Sequence, residues 1–566
     1  MKLSLSPRRP FAAAGLLTAL MMIFPACRET STSGQSAPVA TFSFLPASPT
    51  VNQSVQFTDA STGSPTAWTW NFGDGATSAS QNPTHAYASA GTFTASLTAV
   101  NSAGSGTASQ AVTVTVTRTI GLMTNDSRAL PGYTLFSPKQ NTMTYLINNE
   151  GRIINQWTVS KYTPGQSTYL LENGDILRPC QTKGPLSSGG GEGGRIEQYD
   201  WNGNLVWELD FSTATYMQHH DIRRLPNGNI LMLVVEKKTY AEVLAAGFNP
   251  SKLQPDIASK GYMLPDAVIE IQPMKPKGGT TVWEWHVWDH LIQDFDAAKS
   301  NYGNVAAHPE LIDAAGVGDQ KNLPMFWNHM NSIDYNPDLD QIALSVRGNS
   351  EVWIIDHGTT TTEAKGHTGG RRGKGGDLLY RWGNPLAYRA GTAADQRYFQ
   401  QHDTEWVRPD CPGAGNITSF NNGLGRGTYS TVDEFTPAVD ASGNYLLSAG
   451  SAYGPKEFLW TYRGTTAEPM YSENISGAQR LPNGNTIICS GATGLFLEVT
   501  AAGEIVWKYI CPVDQNGPMK QGSKPSEDPT HAGETMNMVF RVYKYPIGYA
   551  AFAGRTLTPG DFVEKY

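Results

Sequence analysis

Cysteine is scarce in this chain. Five occur among 566 residues, and apart from Cys27 they stand far from one another, at Cys180, Cys411, Cys489 and Cys511. No two are spaced as the CxxC pairs of thiolate zinc sites are, which argues against that class of metal site. In an exported protein these residues allow one or two disulfides, and the sequence does not indicate which would pair.

An excess of positive charge is also missing. The net charge is −8, whereas nucleic-acid-binding domains favour a basic face, so the composition gives no support for a nucleic-acid partner. What is abundant is glycine (58), proline (35), tryptophan (14) and tyrosine (24). These residues favour many turns and many strands. The length suggests more than one domain and a large core.

The sequence contains one long apolar run. Residues 11–26 follow the basic start "MKLSLSPRR", and no later stretch approaches the roughly 18 residues of a membrane helix. Residues 1–26 are therefore predicted to be a signal peptide. The ending "FPAC" resembles a bacterial lipobox, with Phe24 where leucine is usual. We expect a lipidated Cys27, the alternative being an ordinary cleaved signal. Both predict an exported protein of the periplasm or cell envelope.

The next segments predict a tether and a small domain. Residues 27–37 are small and polar, which is typical of a flexible linker. Residues 38–117 contain short alternating runs that predict an Ig-like β-sandwich. Within them, "WTWNFGDG" and "HAYASAGTFTASLTAVN" closely resemble a PKD domain, a module that usually acts as a spacer or adhesion unit. Asp74 in "GDG" is interpreted as a turn residue rather than a catalytic one.

Residues 119–560 repeat two strand patterns. One is an apolar strand opened by a tight turn, as in "LENGDIL", "LPNGNIL" and "LPNGNTI". The other is a strand, a polar turn and a Trp-bearing strand, as in "IEQYDWNGNLVWEL" and "FLEVTAAGEIVWKY". Six pairs of each kind predict six four-stranded units, and hence a six-bladed β-propeller. The last pair, in "TMNMVFRVYKYP", should join the first Trp-marked pair and close the ring without a free edge.

Histidine returns at the start of three inner segments, "YMQHHDIRRLPNGNILML", "FWNHMNSIDYNPDLDQIALSVR" and "YFQQHDTEWVRP". Alignment on the tight turn places Gln166, His220 and Ser476 at one equivalent position of the innermost strand, and His329 and His402 take the same place in the less regular units. We therefore expect them to meet at one level of a central channel. Because side chains alternate along a strand, Asn331 should point the same way as His329. The hairpin that begins there ends at Arg347, which should lie beside His329.

This combination favours group transfer. Crowded imidazoles disfavour one another's protonation, so some should stay neutral and nucleophilic. Arginine supplies planar donors for a tetrahedral oxyanion. The pattern is typical of sulfuryl or phosphoryl transfer through a covalent histidine intermediate. The alternatives are structural histidines, a transition-metal site, a non-catalytic surface-anchored binding propeller, and a metal- or quinone-dependent propeller enzyme. Asp221 and Asp403 should face away from the histidines, so no metal is assigned.

Several segments together resemble the bacterial aryl-sulfate sulfotransferases, among them "HHDIRRLPNGNIL", "GNITSFNNG" and "FRVYKYPIGYAAFAGRTLTPG". The resemblance implies an exported six-bladed propeller that moves a sulfuryl group from a phenolic sulfate ester to a phenol. It implies ping-pong transfer through a sulfohistidine, with no cofactor and no nucleotide donor. His402 would be the nucleophile. The other implied catalytic residues are His329, His220, Arg347 and Asn331. Ser476 and His219 are the implied substrate-binding residues.

The chain departs from the family's pattern at residues 411–463, which are irregular, and in its added PKD module and lipid anchor. The expected partners are a small-molecule donor and acceptor, and a membrane through the anchor. Loops around the channel mouth set acceptor preference, so the natural donor and acceptor stay open.

Overall fold

The computed structural model describes residues 34–158, 160–186, 190–317, 322–448, 450–529 and 531–566. They form two compact units, the first ending at Val116 and the second running from Thr117 to Tyr566. The predicted signal peptide and Cys27 lie outside the described residues. Within those residues, no helix is long and apolar enough to cross a membrane.

The first unit is an Ig-like sandwich of two antiparallel sheets. One contains Phe42–Leu45, Val55–Asp59 and Thr84–His85, and the other Thr77–Ser78, Ala67–Asn71, Gly91–Asn101 and Gly104–Val114. Aromatic side chains fill the space between them, and the buried Trp70 donates its indole N–H to the Ser80 carbonyl at 2.9 Å. Asp74 Oδ1 accepts the Ala76 N–H at 3.1 Å, which is a turn contact, and His85 lies 2.7 Å from the other oxygen.

The second unit contains six larger antiparallel sheets, here named A to F and given with the leading strand first. Sheet A is Tyr543–Pro546, Gly132–Phe136, Thr144–Asn148 and Ile153–Trp157. Sheet B is Tyr169–Leu170, Ile176–Gln181, Gly194–Tyr199 and Leu205–Asp210. Sheet C is Tyr216–Arg224, Ile230–Glu236, Asp266–Pro273 and Gly279–His286. Sheet D is Met330–Asn336, Gln341–Val346, Glu351–Asp356 and Tyr380–Trp382. Sheet E is His402–Trp406, Ile417–Asn421, Thr431–Phe435 and Trp460–Tyr462. Sheet F is Gly477–Arg480, Thr486–Ser490, Leu495–Val499, Ile505–Ile510 and Gly121–Asn125.

Smaller elements connect the sheets. The described part of the second unit has three short α-helices, Tyr240–Ala245, Pro255–Lys260 and Thr361–Ala364. Its 3₁₀ turns are Pro250–Lys252, Val287–His290, Val305–Ala307, Pro385–Tyr388, Ala393–Asp395, Gly491–Thr493 and Ala550–Phe552. Two-stranded pairs join Lys238–Thr239 to Tyr262–Met263, Leu291–Ile292 to Ile312–Asp313, and Val513–Asp514 to Gly517–Pro518.

The leading strands are linked in a cycle. In five of the six links, a backbone N–H of one sheet donates to a side chain of a neighbouring sheet, and in the sixth a tyrosine hydroxyl donates to a carboxylate. The donor–acceptor pairs are Ile333 to Asp221, Thr404 to Ser332, Ala478 to Asp403, Lys544 to Gln479, Leu170 to Tyr545 and Tyr169 to Asp221, at 2.6–3.1 Å. Polar side chains buried at the leading strands are thus satisfied between sheets, as burial requires.

The outer strands repeat a second link, which accounts for the recurring tryptophans. In every sheet a tryptophan of the fourth strand donates its indole N–H to a carbonyl in the connection between the third and fourth strands of the next sheet. The pairs are Trp157 to Asp200, Trp207 to Gly278, Trp285 to Gly376, Trp382 to Pro455, Trp460 to Ala501 and Trp507 to Asn149, at 2.7–2.9 Å. Each tryptophan therefore fastens one sheet to the next.

Two expectations need correction. Sheet A takes one strand, Tyr543–Pro546, from the C-terminal segment, whereas the sequence predicted two; Gly132–Phe136 supplies the other. The preceding segment is used differently, since Met538 lines a cavity and Arg541 pairs with buried carboxylates. The four cysteines beyond Cys27 are buried free thiols rather than disulfides. Burial raises the pKa of Cys180 and Cys511 to about 12.

Candidate active site

One cavity of about 410 Å³ is lined by residues in, or directly before, the leading strands of sheets C, D and E. It brings together four residues that the sequence predicted to meet, which are His220, His329, Arg347 and His402. The imidazole rings of His220 and His329 are 5.0 Å apart between centroids. His220 and His402 are buried, and His329 is partly exposed.

The backbone around these residues is strained. His220, His329 and Asp403 have φ values of 47°, 50° and 56°, in the left-handed region that residues with side chains seldom adopt. The pairing register of all three leading strands shifts at or just after these residues. Each such residue costs about 1–3 kcal/mol, and such strain concentrates at functional sites.

Neighbouring groups indicate the tautomer of His402. Asn422 donates its amide N–H groups to the Ser472 and Ile475 carbonyls, at 2.8 and 3.0 Å, which orients its Oδ1 toward the ring. His402 Nδ1 lies 2.7 Å from this oxygen and must donate to it. Nε2 then carries the lone pair, and it accepts the Ile475 N–H at 3.2 Å. The ring is therefore held with its unprotonated nitrogen at the cavity.

His220 belongs to a chain of polar contacts. Its Nδ1 lies 2.9 Å from Nδ1 of His219, whose Nε2 lies 2.8 Å from Asp266 Oδ1. These contacts hold the His220 ring against His219, which is itself held next to Asp266. His219 is fully buried and does not line the cavity. Its position behind His220 supports that ring.

Two other predicted residues also lie off the cavity wall. Asn331 is fully buried and donates its amide to the Gln401 carbonyl at 2.8 Å, which ties sheet D to the residue before His402. Ser476 donates to Ser472 Oγ at 2.9 Å and accepts the Gly491 N–H at 2.9 Å. Ile475 occupies the cavity wall beside it.

Burial and positive charge keep the imidazoles neutral. Burial is the largest cause that lowers the pKa of His220, His329 and His402 well below 6.5. Arg347 lowers the pKa of His329 and His402 further. Burial also lowers the pKa of Arg347 itself, to about 10, so it stays charged at neutral pH. Neutral nucleophiles thus face a permanent cation.

The cavity also contains cations and acids that the sequence did not point to. Burial lowers the pKa of Lys139 on the cavity wall, against the attraction of Glu534 and Asp528. Within the described residues, neither Lys139 nor Arg347 has a side-chain hydrogen bond or ion pair. His531 lies on the same wall. These residues lie in connections outside the aligned strands. The repeated strand pattern therefore could not predict that they line the cavity.

An ion network lies on the other side of the histidine-bearing strands. Arg541 Nη1 is 2.9 Å from Asp221 and 3.0 Å from Asp403, the residues that follow His220 and His402. Neither carboxylate lines the cavity, as side-chain alternation predicts. The single guanidinium therefore fixes the two histidine-bearing strands relative to each other.

Comparisons with known proteins give two family matches. The model described as "Arylsulfotransferase (ASST)" matches residues 84–516, and a PKD domain model matches residues 35–116. Collagenase ColA of Bacillus cereus is 44% identical over 63 residues, which is 10% of this chain and 7% of the collagenase. The chain thus spans a small part of that relative.

Solved structures add weaker likenesses. A Bacteroides caccae protein of unknown function overlays with a TM-score of 0.37 at 12% identity, covering 73% of this chain and 98% of its own. The PKD1 domain of Vibrio anguillarum Epp is 30% identical and covers 15% of this chain and 99% of its own, with a TM-score of 0.13. Both TM-scores are below 0.5.

Proposed function

Because this chain belongs to the arylsulfotransferase family, we propose that it moves a sulfuryl group from an aryl sulfate ester to a phenol, without a nucleotide donor. Family membership supports arylsulfotransferase activity in general. The observation that carries the finer proposal is the unprotonated Nε2 of His402 in a cavity shared with Arg347.

We also propose that sheets A to F are the blades of a six-bladed propeller. Two observations support this arrangement, namely the cycle of hydrogen bonds among the six leading strands and the cycle of tryptophan contacts among the outer strands. Both cycles return to their starting sheet. The leading strands would then line the axis, and the cavity would be its mouth.

In the first half-reaction, His402 Nε2 attacks the sulfur of the donor ester. The Nε2–S bond forms as the bond from sulfur to the phenolic oxygen breaks, and the phenolate leaves with the bonding electrons. The ring becomes a positively charged sulfohistidine that keeps its Nδ1 proton. Asn422 Oδ1, which already accepts that proton, should stabilise the developing charge.

In the second half-reaction, an acceptor phenol oxygen attacks the same sulfur. The Nε2–S bond breaks, its electrons restore the lone pair on Nε2, and the phenol proton passes to solvent. One site therefore serves both halves, and the first product must leave before the acceptor binds. This sequence is the ping-pong order that covalent catalysis imposes.

The sulfuryl oxygens need positive donors throughout. Arg347 offers a planar guanidinium to these oxygens, and Lys139 lies on the same cavity wall. The Ile475 N–H, which bonds to Nε2 at 3.2 Å in the resting site, loses that acceptor when the N–S bond forms. It can then donate to a sulfuryl oxygen, so the same group serves both states.

The cavity size fits a small aromatic ester. A volume of about 410 Å³ lies in the lower part of the range of about 300–1,000 Å³ for small-molecule sites. Ile475 and Met538 give part of its wall an apolar character. As to location, we propose export to the periplasm or cell envelope with a lipid on Cys27, and a spacer role for the first unit.

The test is a search for the covalent intermediate by intact-mass spectrometry after mixing the protein with 4-nitrophenyl sulfate alone. We expect an adduct with the mass of SO₃ that a phenol acceptor discharges, and tandem spectra that place it on His402. His402→Ala should lose both the adduct and turnover. His308→Ala, an exposed histidine paired with Glu310, is the matched control and should keep both.

Two outcomes would contradict the proposal. Full transfer by His402→Ala would remove this residue as the nucleophile. Donor binding with neither adduct nor turnover would favour the alternative of a non-catalytic binding protein. Circular dichroism of each variant confirms that a lost activity does not come from a lost fold.

A further inference from the structure

Two histidines and an aspartate converge on one point away from the cavity. His290 Nδ1 lies 2.9 Å from Asp377 Oδ1, and His367 Nδ1 lies 2.8 Å from the same oxygen. His290 directly follows sheet C. The other two belong to the loop 357–379, which joins the third and fourth strands of sheet D. The three side chains therefore bridge two sheets.

The contacts of His290 leave a lone pair facing a carboxylate. Its Nε2 lies 2.9 Å from the Ala364 carbonyl oxygen, which can only accept, so Nε2 carries the hydrogen. In the neutral ring, Nδ1 then presents its lone pair to Asp377. His290 is fully buried, and water cannot relieve this opposition. A metal ion bound by both atoms would remove this opposition.

His367 adds a third ligand atom at the same place. Its Nδ1 is a second imidazole nitrogen at the same carboxylate oxygen, so three ligand atoms surround one point, all within 4.8 Å of one another. Two imidazole nitrogens and one carboxylate oxygen form a ligand set that one metal ion can bind. We propose that His290, His367 and Asp377 bind a divalent transition metal, with Zn²⁺ as the first choice.

The ligand set agrees with zinc chemistry. Zinc binds histidine nitrogen at about 2.0–2.1 Å and carboxylate oxygen at about 2.0–2.2 Å, commonly as a tetrahedron. Two nitrogens disfavour Ca²⁺ and Mg²⁺, which take oxygen ligands. The bond from His290 Nε2 to a backbone carbonyl is the outer contact that orients ligating histidines. The His367 side chain is 59% exposed, so water can take the fourth position.

The loop that holds two of the ligands is rich in glycine, and a bound metal would restrain its backbone. Seven of its 23 residues are glycine, and glycine loses the most backbone entropy on ordering. Gly376 lies so close to the site that a Cβ there would be 1.9 Å from the Ala364 oxygen and 2.7 Å from His290 Nε2. Its carbonyl accepts the Trp285 indole N–H, and the Trp285 ring stacks on His290 at 5.5 Å. A metal would thus secure one of the six tryptophan links.

The experiment measures metal content and loop protection, neither of which depends on activity. The full chain is stripped with EDTA, given one equivalent of Zn²⁺, desalted and analysed by mass spectrometry for zinc. Limited trypsin digestion then reports on cleavage after Lys365, Arg371, Arg372 and Lys374. We expect one bound zinc and slower cleavage of this loop when zinc is present.

Three variants locate the metal. His367→Ala, an exposed position that should fold, should lose the zinc and its protection of the loop. His308→Ala is the matched nearby control and should keep both. His531→Ala tests the other cluster that could hold an ion, formed by Asp528, His531 and Glu534. The proposal is overturned if His367→Ala binds zinc as the parent does, if only His531→Ala loses it, or if the parent binds none.

Discussion

Acidification from pH 7.5 to 5.5 should destabilise the second unit through the buried cavity histidines. The pKa of His220 and that of His402 are lowered well below 6.5 in the folded protein, whereas histidine in an unfolded chain has a pKa of about 6.5. Between pH 7.5 and 5.5 the imidazoles of His220 and His402 bind protons in the unfolded state but stay neutral in the folded state. Stability therefore falls as the pH falls.

The magnitude follows from proton linkage. A ring that stays neutral in the folded state lowers the free energy of unfolding by RT ln(1 + 10^(6.5−pH)), which is about 0.1 kcal/mol at pH 7.5 and about 1.4 kcal/mol at pH 5.5. The largest loss that His220 and His402 can cause together is therefore about 3 kcal/mol. His329 is left out of this sum because its side chain is partly exposed.

Urea unfolding followed by tryptophan fluorescence measures this loss at pH 7.5, 6.5 and 5.5. The parent is compared with His220→Gln, which cannot titrate. Other groups whose pKa is shifted, such as Asp403 and His357, are present in both proteins. Their contributions to the pH dependence of stability cancel when the two proteins are compared. The parent should lose up to about 1.4 kcal/mol more than the variant between pH 7.5 and 5.5. Equal losses would refute the conclusion that His220 is held neutral by burial.

Three further predictions concern single side chains. Asn422→Ala should lower kcat about 10- to 100-fold with little change in KM, because a hydrogen bond to a ring that becomes charged is worth about 1.5–3 kcal/mol; an unchanged kcat in steady-state assays would exclude its role. Arg347→Ala should lower kcat by about 10²–10³, and Arg347→Lys should recover only part of it; full recovery would show that charge alone suffices. Arg541→Met should lower the free energy of unfolding by about 3–5 kcal/mol, because Asp221 and Asp403 lose their partner; a loss below about 1 kcal/mol in urea titrations would contradict this.

The repeat made much of the architecture predictable. Each sheet must place an apolar strand after a tight turn and a tryptophan on its last strand, so both features recur in the sequence. Alignment on those turns also grouped His220, His329 and His402, because residues in equivalent strands share a level. Arg347 followed from the length of one hairpin.

The rest of the site depends on geometry that the pattern does not contain. Ile475 and Ser476 both have positive φ, at 47° and 87°, and strict alternation fails where the backbone turns left-handed. Ile475 therefore lines the cavity where Ser476 was expected. Lys139 and Asn422 reach the site from connections, whose course depends on contacts between distant segments rather than on local periodicity.

Sheet A has a consequence for how the molecule is made. Its leading strand, Tyr543–Pro546, is synthesised after every other strand of the six sheets, yet it pairs with Gly132–Phe136, which is made early in the second unit. Until the ribosome finishes this stretch, Gly132–Phe136 presents an unpaired edge that invites association with other chains. Lys139 and Met538 both line the cavity, and they can meet only after Met538 has been synthesised. A nascent or shortened chain that lacks this strand should therefore be inactive and prone to aggregate. Activity is expected only after the strand has been made and paired.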